Sequence, residues 1–206
     1  MIKQFDNYIF DFDGTIAETN KLHEISFLKT FKIKNIDIKN FKYEKIKGLT
    51  TEQAFKNLGL SDDTANLSKI KRDNYKKYLN KITPYKNCIK TLFFLKKNKK
   101  KIFIVSGSSR KNIIFFIKKF KLGRIGIIAR ENSKFSKPSP IPYSLCLKKF
   151  NLKKNKTVVI EDAISGITSA KKNKLYTIGI NDKNIKTKCD LFVKNFNDFL
   201  KKLNEF

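Results

Sequence analysis

From residue 84 onward the chain alternates short apolar runs with helix-like stretches, and that alternation constrains the fold more than any other feature. The runs are Lys101-Ile102-Phe103-Ile104-Val105, Gly126-Ile127-Ile128-Ala129, Thr157-Val158-Val159-Ile160, Tyr176-Thr177-Ile178-Gly179-Ile180 and the shorter Leu191-Phe192-Val193. Residues 87–97, 110–120, 140–150 and 165–173 carry the helical pattern between them. Residues 8–12 read as an earlier strand of the same kind. A strand that is apolar on successive residues has both faces to bury, so these runs predict a parallel sheet covered by helices on both sides, an α/β fold. Ligands of such sheets bind beyond the carboxyl ends of the strands.

Between the first strand and this array the pattern changes. From Glu18 to about Asn80 it is polar and helical, with apolar residues such as Leu22, Ile25, Phe27, Leu28 and Phe31 at helical spacing. Gly48, Gly59 and the cluster Ser61-Asp62-Asp63 divide it into several helices, with Ser61 or Asp62 as an expected N-cap. Thr83-Pro84 marks the return, because the residue before proline is pushed out of the helical region. A length of 206 residues suits one domain of moderate size, or a core carrying a small insertion.

Hydrophobic residues make up 40% of the chain, enough for a core, and no apolar run approaches the roughly 20 residues of a membrane span. A strand follows the first residues almost at once, so no secretory signal is expected. Cys88, Cys146 and Cys189 are odd in number and widely spaced, forming neither a metal-ligand pair nor a disulfide framework. A reducing cytoplasm is the expectation. The net charge of +28 admits two readings. One is a nucleic-acid partner. The other is compositional drift toward residues whose codons are rich in A and T, since Lys, Asn, Ile and Phe are frequent and the basic residues are spread along the chain. The densest patch, Lys96-Lys97-Asn98-Lys99-Lys100-Lys101, falls where a helix should end, where cations suit the helix dipole and Asn98 suits a left-handed cap. Drift is the preferred reading, and such a charge still steers anionic substrates inward.

The chemistry concentrates at the strand ends. Tyr8-Ile9-Phe10 runs into Asp11-Phe12-Asp13-Gly14-Thr15, which delivers two carboxylates and a glycine turn to the end of a buried strand. Buried acids cost free energy unless compensated, and a divalent cation compensates both. The second strand ends in Ser106-Gly107-Ser108-Ser109-Arg110, the third in Glu161-Asp162, and the basic loop Ser136-Lys137-Pro138-Ser139-Pro140 lies between. This inventory matches phosphoryl transfer. Asp11 can attack phosphorus, and Asp13 can act as general acid and then base. Ser106 and Gly107 with Lys137 can hold phosphate, and the helix starting near Arg110 adds N–H groups and dipole. Asp11, the Asp13 carbonyl and Asp162 are the candidate ligands for Mg²⁺, which prefers oxygen donors. Glu161-Asp162 also reads as a plain cap for the helix beginning near Ser165.

In these four segments the chain resembles the haloacid dehalogenase superfamily of phosphatases, over essentially its full length. The motifs stand in the family's order: Asp11-Phe12-Asp13-Gly14-Thr15, Ile104-Val105-Ser106-Gly107-Ser108, the lysine of Ser136-Lys137-Pro138, and Val159-Ile160-Glu161-Asp162 through Ile167. The resemblance implies a Rossmann-like core, residues 1–16 and 83–206, and a small helical cap, 17–82, inserted after the first strand. It also implies an aspartyl-phosphate intermediate on Asp11, and Glu161 beside Asp162 for Mg²⁺. Dehalogenase members lack the acid/base aspartate, so Asp13 argues against dehalogenation. The cap is similar to that of beta-phosphoglucomutase and related sugar-phosphate phosphatases: Thr19 and His23 match positions facing the mutase's active site, and Ile46-Lys47-Gly48-Leu49-Thr50-Thr51-Glu52 resembles its specificity loop, with Lys47 in the lysine position. Thr51 departs from the mutase's arginine, which grips a second phosphate, and Arg110 stands where the mutase has asparagine.

The sequence therefore points to a Mg²⁺-dependent phosphatase of a small phosphorylated metabolite, such as a sugar phosphate or phosphoglycolate, in the cytoplasm. A phosphomutase is the first alternative and a nucleic-acid-binding or polynucleotide phosphatase role the second. No membrane partner is expected, and the chain is expected to be a monomer or weak dimer.

Overall fold

The structure, a computed structural model, describes residues 4–205. The strands are β1 (Asn7–Phe10), β2 (Lys101–Val105), β3 (Gly126–Ile128), β4 (Thr157–Glu161), β5 (Tyr176–Ile180) and β6 (Leu191–Val193). The helices are α1 (Asn20–Ile33), α2 (Thr51–Asn57), α3 (Thr64–Lys76), α4 (Cys88–Lys97), α5 (Arg110–Lys119), α6 (Ile141–Lys149), α7 (Ile164–Lys172) and α8 (Phe196–Asn204). They fall into two compact units, one running to Glu18 and resuming at Pro84, the other Thr19–Thr83. The sequence pattern puts these boundaries after residue 16 and before residue 83.

The larger unit is an α/β unit with a six-stranded parallel sheet in the order β3-β2-β1-β4-β5-β6. Asn7 lies opposite both Lys101 and Thr157, and Phe10 opposite both Ile104 and Ile160, so β1, β2 and β4 end level with one another. The chain leaves β1 toward β2 and β3, then returns to the other side of β1 for β4. That reversal opens a crevice at the carboxyl ends of the central strands, where α/β sheets bind ligands. Ile9, Phe103, Val105 and Val159 pack on one face with Tyr143 and Cys146 of α6. On the other, Phe10 meets Phe196 and Phe199 of α8 at ring separations of 6.5 Å. This two-sided burial is why the strands are apolar at successive residues.

Three local readings need correction. The first strand stops at Phe10, although the Asp11 amide still donates to the Ile160 carbonyl at 3.0 Å. The left-handed residue after α4 is Lys99, not Asn98, which keeps a negative φ as the C-cap. Helix α8 was not anticipated by the strand-and-helix pattern. It buries Phe196, Phe199 and Leu203 on one face and is capped by Asn195, whose side chain accepts from the Asp198 amide.

The helical unit packs α1, α2 and α3 around Phe27, Phe31, Ile46, Ala54, Phe55 and Leu67. Phe27 and Phe55 meet edge to face at 5.1 Å, a geometry that favours aromatic pairs. Thr50 begins α2 with a capping box: its hydroxyl accepts from the Gln53 amide, and its own amide donates to the Gln53 side chain. The N-cap of α3 is Asp63, one residue beyond the expected pair, and its side chain makes no capping bond.

Candidate active site

The crevice gathers the polar ends of β1, β2 and β4. Asp11 follows β1 and is only 8% exposed, and Glu161 and Asp162, at the end of β4, are each 1% exposed. A tight turn follows Asp11. The Phe12 carbonyl accepts from the amides of Ile16 and Ala17, and Gly14 takes φ +85°, which costs glycine little because it has no Cβ. Asn181, just after β5, ties this turn down by donating from its amide to the carbonyls of Gly14 (2.9 Å) and Thr15 (3.2 Å). The Thr15 hydroxyl donates to Asp162 Oδ1 at 2.9 Å, so the first turn and the end of β4 hold each other.

Lys137, in the loop before α6, is the hub. Its ammonium donates to Asp11 Oδ1 (2.5 Å), Glu161 Oε1 (2.6 Å) and the Val105 carbonyl (2.9 Å). Three acceptors match the three protons of an ammonium, and the contacts reach the ends of β1, β2 and β4 at once. Glu161 is more fully engaged still. Oε1 also accepts from the Tyr143 hydroxyl at 2.7 Å, and Oε2 accepts from the amides of Asp162 (3.1 Å) and Ala163 (3.3 Å). The expected capping role of Glu161-Asp162 therefore takes another form: α7 begins at Ile164 with Ala163 as N-cap, and Glu161 braces the turn before it.

Asp13 is half-buried on the other side of the turn. Its Oδ2 accepts from the Ser108 hydroxyl at 2.5 Å and lies 3.5 Å from that of Ser106. Ser106 Oγ accepts from the Ser108 amide at 2.9 Å, and Gly107 between them is exposed. Arg110 starts α5 on the exposed side. Its guanidinium reaches the Ile127 carbonyl at 3.4 Å, and its amide donates to Glu131. Thr19, His23 and Lys47 belong to the helical unit. Thr19 is buried ahead of α1 and its carbonyl accepts from the His23 amide. His23 stacks on Tyr75 at 4.3 Å, with Nδ1 2.6 Å from Lys71 Nζ. Lys47 is half-buried beside Gly48.

The electrostatics follow from burial. Burial, together with the charges of Glu161, Asp162 and Asp13, holds the Asp11 carboxyl well above the usual carboxylate range even against Lys137. Burial alone would lower Lys137, but Asp11 and Glu161 outweigh it, and the ammonium is held above the usual lysine range. Tyr143 is pushed upward by burial and then by Glu161. Asp11, Glu161 and Asp162 each offer a carboxylate oxygen within 4.8 Å of the others. Three buried acids against one lysine leave excess negative charge, and hard oxygen donors suit a small divalent cation, so the residues present fit such an ion. Both Glu161 oxygens already accept hydrogen bonds, two each.

Sequence reasoning did not single out Ser108, Thr15, Asn181 or Tyr143. Ser108 and Thr15 lie inside quoted motifs, and their hydroxyls beside acids were the available signal. Tyr143 and Asn181 carry no local signal.

The family model of haloacid dehalogenase-like hydrolases matches residues 8–180, and the chain belongs to that family. It is 23% identical over 174 residues to the pyrophosphatase PpaX of Oceanobacillus iheyensis, covering 84% of this chain and 81% of the relative. Among solved structures, a hydrolase from Pseudomonas syringae superposes with a TM-score of 0.86 at 21% identity, covering 97% of this chain and 98% of the other. A beta-phosphoglucomutase from Clostridium difficile does so with a TM-score of 0.83 at 23% identity, covering 98% of each. At these identities the structural likenesses establish the fold. No helix among the described residues is long and apolar enough to cross a membrane.

Proposed function

We propose that this phosphatase-family hydrolase releases phosphate from a small phosphorylated metabolite in a Mg²⁺-dependent reaction, with Asp11 as nucleophile. The observation that carries the reading is the Asp11–Lys137 pair at 2.5 Å, set at the carboxyl ends of three strands beside Asp13, Ser106 and Asp162. Asp11 Oδ attacks phosphorus, the bond from phosphorus to the leaving oxygen breaks, and Asp13 gives that oxygen a proton. Asp13 then takes a proton from the water that hydrolyses the aspartyl phosphate, which restores Asp11. Lys137 and Ser106, with the amides around Gly107, bind the transferring phosphoryl group, whose charge such sites must stabilise. Asp11 and Asp162 would hold the cation together with the Asp13 carbonyl; when bound, it supplies positive charge against the phosphoryl oxygens. The free thiols Cys88, Cys146 and Cys189 support a reducing cytoplasm.

The name of the PpaX relative favours a second substrate, inorganic pyrophosphate. The mutase alternative is weakened by Thr51, which offers no cation for a second phosphate. Phosphate release with Mg²⁺ from sugar phosphates, phosphoglycolate, pyrophosphate and beta-glucose 1-phosphate tests all three, with Asp11→Asn beside the wild type. Release by the wild type alone supports the reading, and the preferred compound separates monoester from anhydride. An isomerised sugar phosphate without free phosphate would replace it with the mutase.

A further inference from the structure

Tyr143 is among the largest fully buried side chains of the α/β unit and stands in the core cluster with Ile9, Phe103 and Val159. A phenylalanine would fill that space equally well. The hydroxyl is therefore extra to the packing, and a buried hydroxyl must have a partner to offset its desolvation. That partner is Glu161 Oε1, at 2.7 Å, the oxygen that also takes the Lys137 ammonium. The Tyr143 ring faces the same cation, with Lys137 Nζ 5.1 Å from its centroid. A second feature shapes the same carboxylate. A Cβ on Gly166 would lie 1.8 Å from Glu161 Oε1 and 2.4 Å from Oε2, so the glycine in α7 leaves the space the carboxylate occupies.

From this arrangement we infer that Tyr143 is a positioning residue: its hydroxyl fixes the Glu161 carboxylate, and Glu161, seated against Gly166, aims Lys137 at Asp11. The inference rests on the phosphatase reading for its kinetic consequence, though not for its geometry. Each Glu161 oxygen takes two donors, Oε1 from Lys137 and Tyr143 and Oε2 from two backbone amides. The two amides fix one end of the carboxylate and the phenol fixes the other, so its plane has one orientation. Lys137 then has one place to point its remaining protons, Asp11 Oδ1 and the Val105 carbonyl. Without the phenol, Oε1 keeps a single mobile donor. The carboxylate can then rotate about its amide-bound oxygen, and the ammonium follows it away from Asp11.

Tyr143→Phe, with Phe150→Leu as a packing control from the same cluster, tests the inference in the full chain. Tyr143→Phe is expected to lower kcat about tenfold with KM within about twofold, because a displaced charge is felt mainly in the transition state. Phe150→Leu is expected to lower the melting temperature and leave both kinetic constants alone. Gly166→Ala, which improves helix propensity but drives a methyl into the carboxylate, is expected to lower kcat by about a hundredfold or more. It keeps the idea open to refutation should Tyr143→Phe fold poorly. A readout without turnover is the Lys137 ammonium signal in ¹⁵N–¹H spectra, assigned with Lys137→Arg. It should shift in Tyr143→Phe and Gly166→Ala and stay in place in Phe150→Leu. Wild-type kinetics and an unmoved ammonium signal in Tyr143→Phe would overturn the inference, as would a loss of kcat no larger than the loss of folded protein. A wild type that releases no phosphate would sink the phosphatase reading instead, and the ammonium signal alone would still decide for or against the role of Tyr143.

Discussion

Each unit of the molecule buries a lysine, and the two are compensated in different ways. Lys137 in the α/β unit is 9% exposed and sits between two carboxylates and a carbonyl. Lys71 in the helical unit is 4% exposed, with its ammonium 2.6 Å from His23 Nδ1, 4.9 Å from the Phe27 ring centroid and 5.2 Å from that of Tyr75. Two carboxylates meet the first cation, with the Tyr143 ring beside them, whereas a histidine nitrogen and two aromatic faces stand among the neighbours of the second. Fixed charges in a dry site interact strongly and are aimed, which is what a transferring phosphoryl group requires. Aromatic faces give a cation a softer seat, worth about 2 kcal/mol when desolvated. The contrast separates the lysine of the proposed active site from a lysine seated beside the aromatic core of the helical unit.

The largest effect should come from the negative side of the Lys137 cluster. Asp11→Asn is expected to cut phosphate release by about 10³-fold or more, as removal of a nucleophile does, measured at saturating Mg²⁺. The sharpest test of the contrast compares Lys137→Met with Lys71→Met in urea denaturation. Lys137→Met strands Asp11 and Glu161 in the interior and should cost about 3–5 kcal/mol, the usual penalty for removing one partner of a buried pair. Lys71→Met should cost about 2 kcal/mol, the value of a desolvated cation–π contact. Equal losses would break the comparison.

A pH experiment sharpens it further. Because the folded protein holds Asp11 above its unfolded value, the folded state binds the extra proton. Metal-free stability should therefore fall as pH rises from the ordinary carboxylate range, about 4, through the raised value of Asp11. Lys137, raised above the lysine range, stays charged across that window; its contribution is present there and is lost only as pH climbs through its own raised value. Urea midpoints of wild type and Asp11→Asn without metal should show this slope in the first and not in the second. Adding Mg²⁺ should flatten it, since a bound cation favours the ionised carboxylate. The smallest effect belongs to the helical unit: Thr50→Ala removes the capping box of α2 and should cost about 1 kcal/mol, with no change in the Lys137 ammonium signal.

What the sequence made legible follows the same division. The parallel sheet and the strand-end residues were readable because each follows from a local rule: two-sided apolar runs make buried strands, and polar residues at their ends line the crevice. Helix α8 was not read, although Phe196, Phe199 and Leu203 recur at helical spacing. Its short span is crowded with lysine and asparagine, which dilutes the pattern. Lys99 rather than Asn98 takes the left-handed turn after α4, because the last helical hydrogen bonds, not the residue type, decide where the chain reverses. Tyr143 and Asn181 were invisible for a deeper reason. Tyr143 looks like one more core residue of a helix, and its partner Glu161 is brought to it only by the packing of α6 on the sheet. Asn181 reaches the Gly14 turn across nearly the whole length of the chain.

The most direct test of the central claim, that Asp11 held by Lys137 is the nucleophile, is mass spectrometry of protein incubated with Mg²⁺ and acetyl phosphate and quenched in acid. The account predicts a phosphoryl increment on the peptide containing Asp11 in the wild type and none on that peptide in Asp11→Asn. Phosphate release by a wild type that carries the increment elsewhere, or undiminished release by Asp11→Asn, would contradict it.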